Sequence, residues 1–140
     1  MSHVVRLHFN VSGDDFTRAG EASGKVKSKL KQLGIDPSAV RRVAIALYEG
    51  EINLVIHAGG GEIDVEISAD CIKMTLSDNG PGIEDVEKAM LEGYSTASEN
   101  IRALGFGAGM GLPNMRRYTD EMKIDTKIGE GTVIFMKVNL

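Results

Sequence analysis

The stretch Cys71-Ile72-Lys73-Met74-Thr75-Leu76-Ser77-Asp78-Asn79-Gly80-Pro81-Gly82 decides how the chain is read. Ile72, Met74 and Leu76 alternate with polar residues, which is the period of a half-buried strand. Asp78 keeps their parity, so its carboxylate is directed toward the core layer. A charge aimed there needs a partner or a ligand. An adenine amino group is a suitable donor, and Gly80 and Gly82 around Pro81 leave space for a flat ring. Taken alone, the same residues also suit a turn acid that caps the next helix.

Upstream, residues 62–68 alternate with Ile63, Val65 and Ile67 on one side, and the short connection to Cys71 predicts an antiparallel hairpin. Before it, Asp36-Pro37 has the form of a helix N-cap followed by a first-turn proline, opening a helix that runs to about His57 and closes in Gly59-Gly60-Gly61. Val5, Leu7, Phe9 and Val11 mark a first strand. Phe16, Ala19, Ser23, Val26, Leu30 and Leu33 then fall at helical spacing up to Gly34. Lys25, Lys27, Lys29 and Lys31 spread around that helix as a solvated exterior.

Downstream, residues 84–91 read as a short helix, whereas residues 92–108 show no period and read as a lid or loop. A helix over 110–119 and a last hairpin, 122–128 and 132–140, around Gly129-Glu130-Gly131 complete the chain. The order predicts an α+β fold: a two-layer sandwich with a mixed, mostly antiparallel sheet and helices on one face, as one domain over residues 1–140.

The 17 glycines concentrate between Gly59 and Gly131, where close approach to a ligand would need a bare backbone. A net charge of −4 argues against nucleic acid as a partner, since phosphate backbones call for a basic surface. With Cys71 as the only cysteine, neither a disulfide framework nor a cysteine metal site can form within the chain. No signal peptide and no transmembrane run are apparent, so the expectation is a cytoplasmic protein without a membrane partner.

Three further pieces carry chemistry. Glu49 and Asn53 are four residues apart and share one helical face with Ala46, Gly50 and His57. Carboxylate and amide oxygens suit Mg²⁺, and the carboxylate could orient or deprotonate a hydroxyl. Gly50 in mid-helix suggests room for a ligand; a solvated polar face is the alternative for such a pair alone. Gly105, Gly107, Gly109 and Gly111 alternate ahead of a helix, an arrangement that favours phosphate. This is not a Walker A loop, because no Lys-Ser or Lys-Thr follows at the required spacing, nor a dinucleotide fingerprint, because Met110 stands where the third glycine would fall. Thr132 shares parity with Ile134, Met136 and Val138 and so could face the same pocket as Asp78. Arg102 is the basic residue of the lid, while His3 and His8 have no carboxylate partner suggested by sequence.

Glu49-x-x-x-Asn53, Asp78-x-Gly80-x-Gly82, Gly107-x-Gly109-x-Gly111 and Gly131-Thr132 stand in one order and resemble the boxes of the GHKL ATPases over roughly residues 36–140. Gly93-Tyr94-Ser95-Thr96 and Gly109-Met110-Gly111-Leu112-Pro113 with Arg116 and Arg117 are similar to the anti-sigma-factor serine/threonine kinases. The resemblance implies a Bergerat ATP/ADP site. In it Asp78 would bind the adenine amino group, Asn53 would bind Mg²⁺, Glu49 would be the catalytic base, and the glycines up to Gly111 would wrap the phosphates. It further implies a small protein partner, an anti-sigma antagonist or a sigma factor, and is compatible with a homodimer.

Three functions follow. The first is transfer of the ATP γ-phosphate to a Ser or Thr of the antagonist. The second is nucleotide-gated binding without catalysis, with residues 92–108 as the moving element. The third is phosphorylation of a histidine on another chain. No helical hairpin bearing an acceptor histidine and no transducer region is seen in the sequence. Glu49 in the base position, the complete set of nucleotide boxes and the resemblance to the serine/threonine kinases put the first function ahead.

Overall fold

The computed structural model describes residues 4–13, 18–83, 86, 90 and 111–140. Strand β1 (Val5–Ser12) is followed by helices α1 (Glu21–Gln32) and α2 (Pro37–His57), then strands β2 (Gly60–Ile67) and β3 (Cys71–Asp78). Helix α3 (Gly111–Arg117), strand β4 (Glu121–Lys127) and strand β5 (Gly131–Asn139) complete the order. The strands form one sheet in the order β1-β2-β3-β5-β4. Among the described residues every pairing in it is antiparallel, so the expected mostly antiparallel sheet is antiparallel throughout. The reason lies in the final hairpin: β4 runs parallel to β3, but β5 is inserted between them.

Alternation sorts the strands into two faces. Ile63, Val65, Ile67, Ile72, Met74, Leu76, Ile134, Met136 and Val138 are buried and meet Val26, Leu30, Val43 and Leu47 of the helices. The opposite face carries Arg6, His8, Glu62, Asp64 and Lys73, and it is open to solvent. At roughly 25 cal/mol per Å² of apolar surface removed from water, this one contiguous core is the main source of stability.

Helix α2 lies at the centre of the helical layer, with α1 on one side and α3 on the other. Asp36 caps it by accepting the Ser38 backbone N–H at 3.1 Å, with Pro37 in the first turn as the sequence predicts. Gly50 is buried against the sheet, and a Cβ there would stand 2.4 Å from Leu76 Cδ2 and 3.3 Å from Met115 Sδ. The expectation that Gly50 makes room for a ligand is thereby corrected: it lets α2 press onto β3 and α3. Arg42 ties the far end of α3 to α2, donating to the Tyr118 carbonyl at 3.2 Å and pairing with Asp120 at 3.0 Å.

Helix α1 begins at Glu21, later than its apolar period suggests, and residues 14–17 lie outside the described ones. Its N-cap, Gly20, has φ +95° and offers no capping side chain. The cap comes from α2 instead. Glu51, only 2% exposed, accepts the backbone N–H groups of Gly20, Ala22 and Ser23 at 2.9 to 3.1 Å. Nothing in the sequence announces this contact, because it joins residues 28 to 31 positions apart.

The open face of the sheet holds a second contact the sequence did not suggest. His8 Nδ1 lies 2.6 Å from Asp64 Oδ1, and Glu62 approaches Nε2 at 3.9 Å. The Asp64 hydrogen bond, helped by the charges of Asp64 and Glu62, raises the imidazole pKa above its ordinary 6.5. A raised folded-state pKa means that the folded protein binds the proton more tightly than the unfolded chain. The resulting stability is complete below the unfolded value of about 6.5 and is lost as pH rises through the higher folded value. Melting curves from pH 5.5 to 8.5 for wild type and His8→Gln should therefore converge at the alkaline end. Parallel curves would show that the contact contributes nothing. High salt should shrink the difference, since the group is exposed.

Candidate active site

One row of the sheet departs from the apolar pattern while keeping its parity. Asp78 of β3, Thr132 of β5 and Thr126 of β4 are direct cross-strand partners and continue the inward-facing rows Leu76-Ile134-Ile124 and Met74-Met136-Met122. The inner face thus ends in a carboxylate and two hydroxyls. Asp78 is half-buried, and its Oδ1 accepts the Gly80 N–H at 2.8 Å, which sets the turn after β3. Among the described residues its Oδ2 takes no hydrogen bond.

Backbone contact holds this row against its loops. Gly131 has φ +120°, and a Cβ on it would lie 2.1 Å from the Asp78 carbonyl oxygen, so only glycine brings β5 this close to β3. Gly82, with φ +82°, crosses the end of β4 where a Cβ would meet the Lys127 carbonyl at 2.6 Å. The Gly129 N–H donates to the Pro81 carbonyl at 2.9 Å, and the Ile83 N–H donates to Thr126 Oγ1 at 2.8 Å. The loop over 79–83 is stitched to the final hairpin. Gly82 therefore shapes that junction, alongside its expected role of leaving room for a ring.

Helix α2 connects this row to a second group. At its C-terminal end, a Cβ on Gly80 would stand 3.0 Å from Ala58 Cα. His57, next to it, is pushed below its ordinary pKa by burial and is neutral at neutral pH. Toward the middle of the helix, Glu49 is half-buried and accepts from Asn114 Nδ2 of α3 at 3.3 Å. A Cβ on Gly111, at the start of α3, would lie 3.8 Å from Glu49 Oε2. Asn53 stands one turn from Glu49 on the same face and is half-buried. At 1.5 Å per residue, about 14 Å of helix separates Glu49 from Ala58.

Of the residues expected from sequence, Glu49, Asn53 and Gly111 gather around α2 and α3, while Asp78, Gly80, Gly82 and Thr132 gather at the sheet end. Gly105, Gly107, Gly109, Met110, Arg102, the 92–108 stretch and nearly all of the short helix over 84–91 lie outside the described residues. Sequence reasoning missed Asn114, Thr126 and Glu51. Parity with Met122 and Ile124 could have found Thr126, and the spacing of three from Gly111 could have drawn attention to Asn114.

An antiparallel sheet whose inner face ends in a carboxylate beside a glycine turn, crossed by a helix that carries an acid–amide pair, defines the class as an α+β sandwich. Over residues 38–140 the chain matches the model of the histidine kinase-, DNA gyrase B- and HSP90-like ATPases. It belongs to that family. It is 36% identical over 112 residues to the serine/threonine-protein kinase RsbT of Bacillus subtilis (strain 168), an alignment covering 77% of this chain and 78% of the relative. It is 32% identical over 109 residues to an anti-sigma F factor of Thermoanaerobacter sp. (strain X514), covering 73% of each.

Solved structures agree on the fold. The RsbU and RsbW domains of Rv1364c from Mycobacterium tuberculosis align with a TM-score of 0.65 at 16% identity, over 96% of this chain and 31% of that one. The mycobacterial sensor histidine kinase MprB aligns with a TM-score of 0.55 at 15% identity, over 96% and 97%. The expected α+β fold and the expected likeness to anti-sigma kinases both hold.

Proposed function

We propose that the chain is an ATP-dependent serine/threonine protein kinase of the anti-sigma type, acting on a small antagonist protein in the cytoplasm. The observation that supports it most is the reach of α2. One stretch of helix sets a carboxylate beside the start of α3 and, about 14 Å away, abuts the turn that presents Asp78. That separation suits a nucleotide lying along the helix, with its base at the sheet end and its terminal phosphate at Glu49. Kinship with a named serine/threonine-protein kinase supports the same reaction class.

The residues divide the work as follows. Asp78 Oδ2 accepts from the adenine amino group, with Thr132 beside it and Gly80 and Gly82 framing the ring. Asn53 offers an amide oxygen one turn from Glu49, a hard donor suited to Mg²⁺. When bound, that ion neutralises phosphate charge during transfer. Glu49 orients the incoming Ser or Thr hydroxyl and accepts its proton, while Asn114 holds the other carboxylate oxygen. Phosphoryl transfer asks mostly for such positioning and charge neutralisation, which a small domain can supply.

The name carried by the anti-sigma F factor relatives favours a companion role in which nucleotide state also governs association with a sigma factor. Equal partner affinity with ATP, with ADP and without nucleotide would exclude it.

Calorimetry of ATP and ADP with Mg²⁺ tests the site. Asp78→Asn should weaken both nucleotides about 100-fold, by analogy with the loss of a charged hydrogen-bond partner. Asn53→Ala should abolish the effect of Mg²⁺ while leaving metal-free binding nearly unchanged. Wild-type affinity in folded Asp78→Asn would move the base-binding site elsewhere.

A further inference from the structure

Thr126 belongs to no nucleotide motif, yet its hydroxyl is the most heavily engaged group of the polar row. Its Oγ1 accepts the Ile83 N–H at 2.8 Å, lies 2.8 Å from Thr132 Oγ1, and is 3.4 Å from the Gly131 carbonyl oxygen. A hydroxyl has one hydrogen to donate and two lone pairs to accept with. Ile83 occupies one lone pair, so the remaining question is where the single hydrogen goes. An O–H···O bond has its usual length near 2.7 to 2.8 Å, and 3.4 Å is well outside that range. Of the two acceptors, Thr132 is therefore the better placed for the Thr126 hydrogen.

The consequence reaches the neighbouring strand. Thr132 Oγ1 becomes an acceptor on its Thr126 side, and its own hydrogen is free to point away from β4. On that side its cross-strand partner is Asp78. A carboxylate only accepts, and Thr132 so oriented donates. The sheet end then presents an acceptor and a donor side by side.

We propose that Thr126 is a positioning residue for nucleobase selectivity, setting the direction of the Thr132 hydroxyl so that the site matches adenine and opposes guanine. Adenine carries an exocyclic amine beside an unprotonated ring nitrogen, a donor next to an acceptor. Guanine carries a carbonyl oxygen beside a protonated ring nitrogen, which reverses both roles. The 3.4 Å to the Gly131 carbonyl is what favours this direction, because it leaves Thr132 as the acceptor in good range of the Thr126 hydrogen. This inference rests on the reading of Asp78 and Thr132 as the residues that meet the base.

The test is calorimetric titration of ADP and GDP into wild type, Thr126→Val, Thr126→Ser and Asp78→Asn, each checked for folding by its thermal transition. Thr126→Val should bind ADP about tenfold more weakly with GDP little changed, so that the ADP/GDP ratio falls about tenfold, the worth of one well-placed hydrogen bond in base discrimination. Thr126→Ser keeps the hydroxyl and should keep the wild-type ratio. A Thr126→Val ratio within about twofold of wild type, with ADP binding lost in Asp78→Asn, overturns the role of Thr126 and leaves the base site standing. A Thr126→Ser ratio that falls as far as that of Thr126→Val also overturns it, because packing rather than the hydroxyl would then be responsible. Unchanged ADP binding in Asp78→Asn together with Thr126→Val overturns the base site and this inference alike.

Discussion

Glu51→Ala should lower the unfolding free energy by about 3 kcal/mol, a large share of the 5–15 kcal/mol that holds a typical domain together. The carboxylate is 2% exposed and takes three backbone N–H groups from the first turn of α1. Those groups have no intrahelical acceptor, and the positive end of the helix dipole lies at the same place. Gly20 supplies no side chain of its own, so removal of Glu51 leaves the whole turn uncapped in a buried seam. With a urea m-value of about 1–3 kcal/mol/M, the unfolding midpoint should fall by roughly 1–3 M. Glu51→Gln keeps one oxygen acceptor and should lose about half as much. A midpoint for Glu51→Ala that matches wild type would mean the cap adds nothing to stability. Nucleotide affinity should be far less affected, since Glu51 points to α1 and Glu49 to α3.

The second large effect concerns Glu49. Its replacement by alanine should slow transfer of the ATP γ-phosphate to a small antagonist protein by about 10²–10⁴-fold, the usual worth of a positioned general base. ATP affinity should change less than about threefold, because Glu49 stands near the transferred phosphate and away from the base end. Single-turnover transfer of labelled phosphate, read as acid-stable phosphoprotein, separates the two quantities. Asn114→Ala should show the same pattern in a milder form, since its amide at 3.3 Å orients one carboxylate oxygen and leaves the other in place. Full transfer by Glu49→Ala would remove the base role. A matched loss of transfer and of ATP affinity would make Glu49 a binding residue instead.

Glu49, Glu51 and Asn53 show how differently neighbours on one helix can be used. Glu49 and Asn53 share a face because they are four apart, whereas Glu51 is turned to the other side. The spacing makes the acid–amide pair legible in the chain. It says nothing of Glu51, whose partners sit at Gly20, Ala22 and Ser23 in another helix. Gly50 was legible as unusual but misread in purpose, since the apolar neighbours it admits, Leu76 and Met115, come from β3 and α3.

By itself the sequence determined the strands and the two long helices among the described residues, and their faces. Alternation in residues 71–78 placed Asp78 on the core side, the same rule placed Thr132 there, and Asp36-Pro37 opened α2 where the cap is found. These are consequences of backbone geometry within a few residues, and a linear chain displays them directly. Only the tertiary structure decided the neighbours. Sheet order set Asp78, Thr132 and Thr126 in one row, packing of α3 carried Asn114 to Glu49, and packing of α1 gave Glu51 its three donors. The physical reason is separation along the chain. Periodicity reports which way a side chain points, but contacts that span 28, 31 or 65 residues arise only when the buried faces find one another.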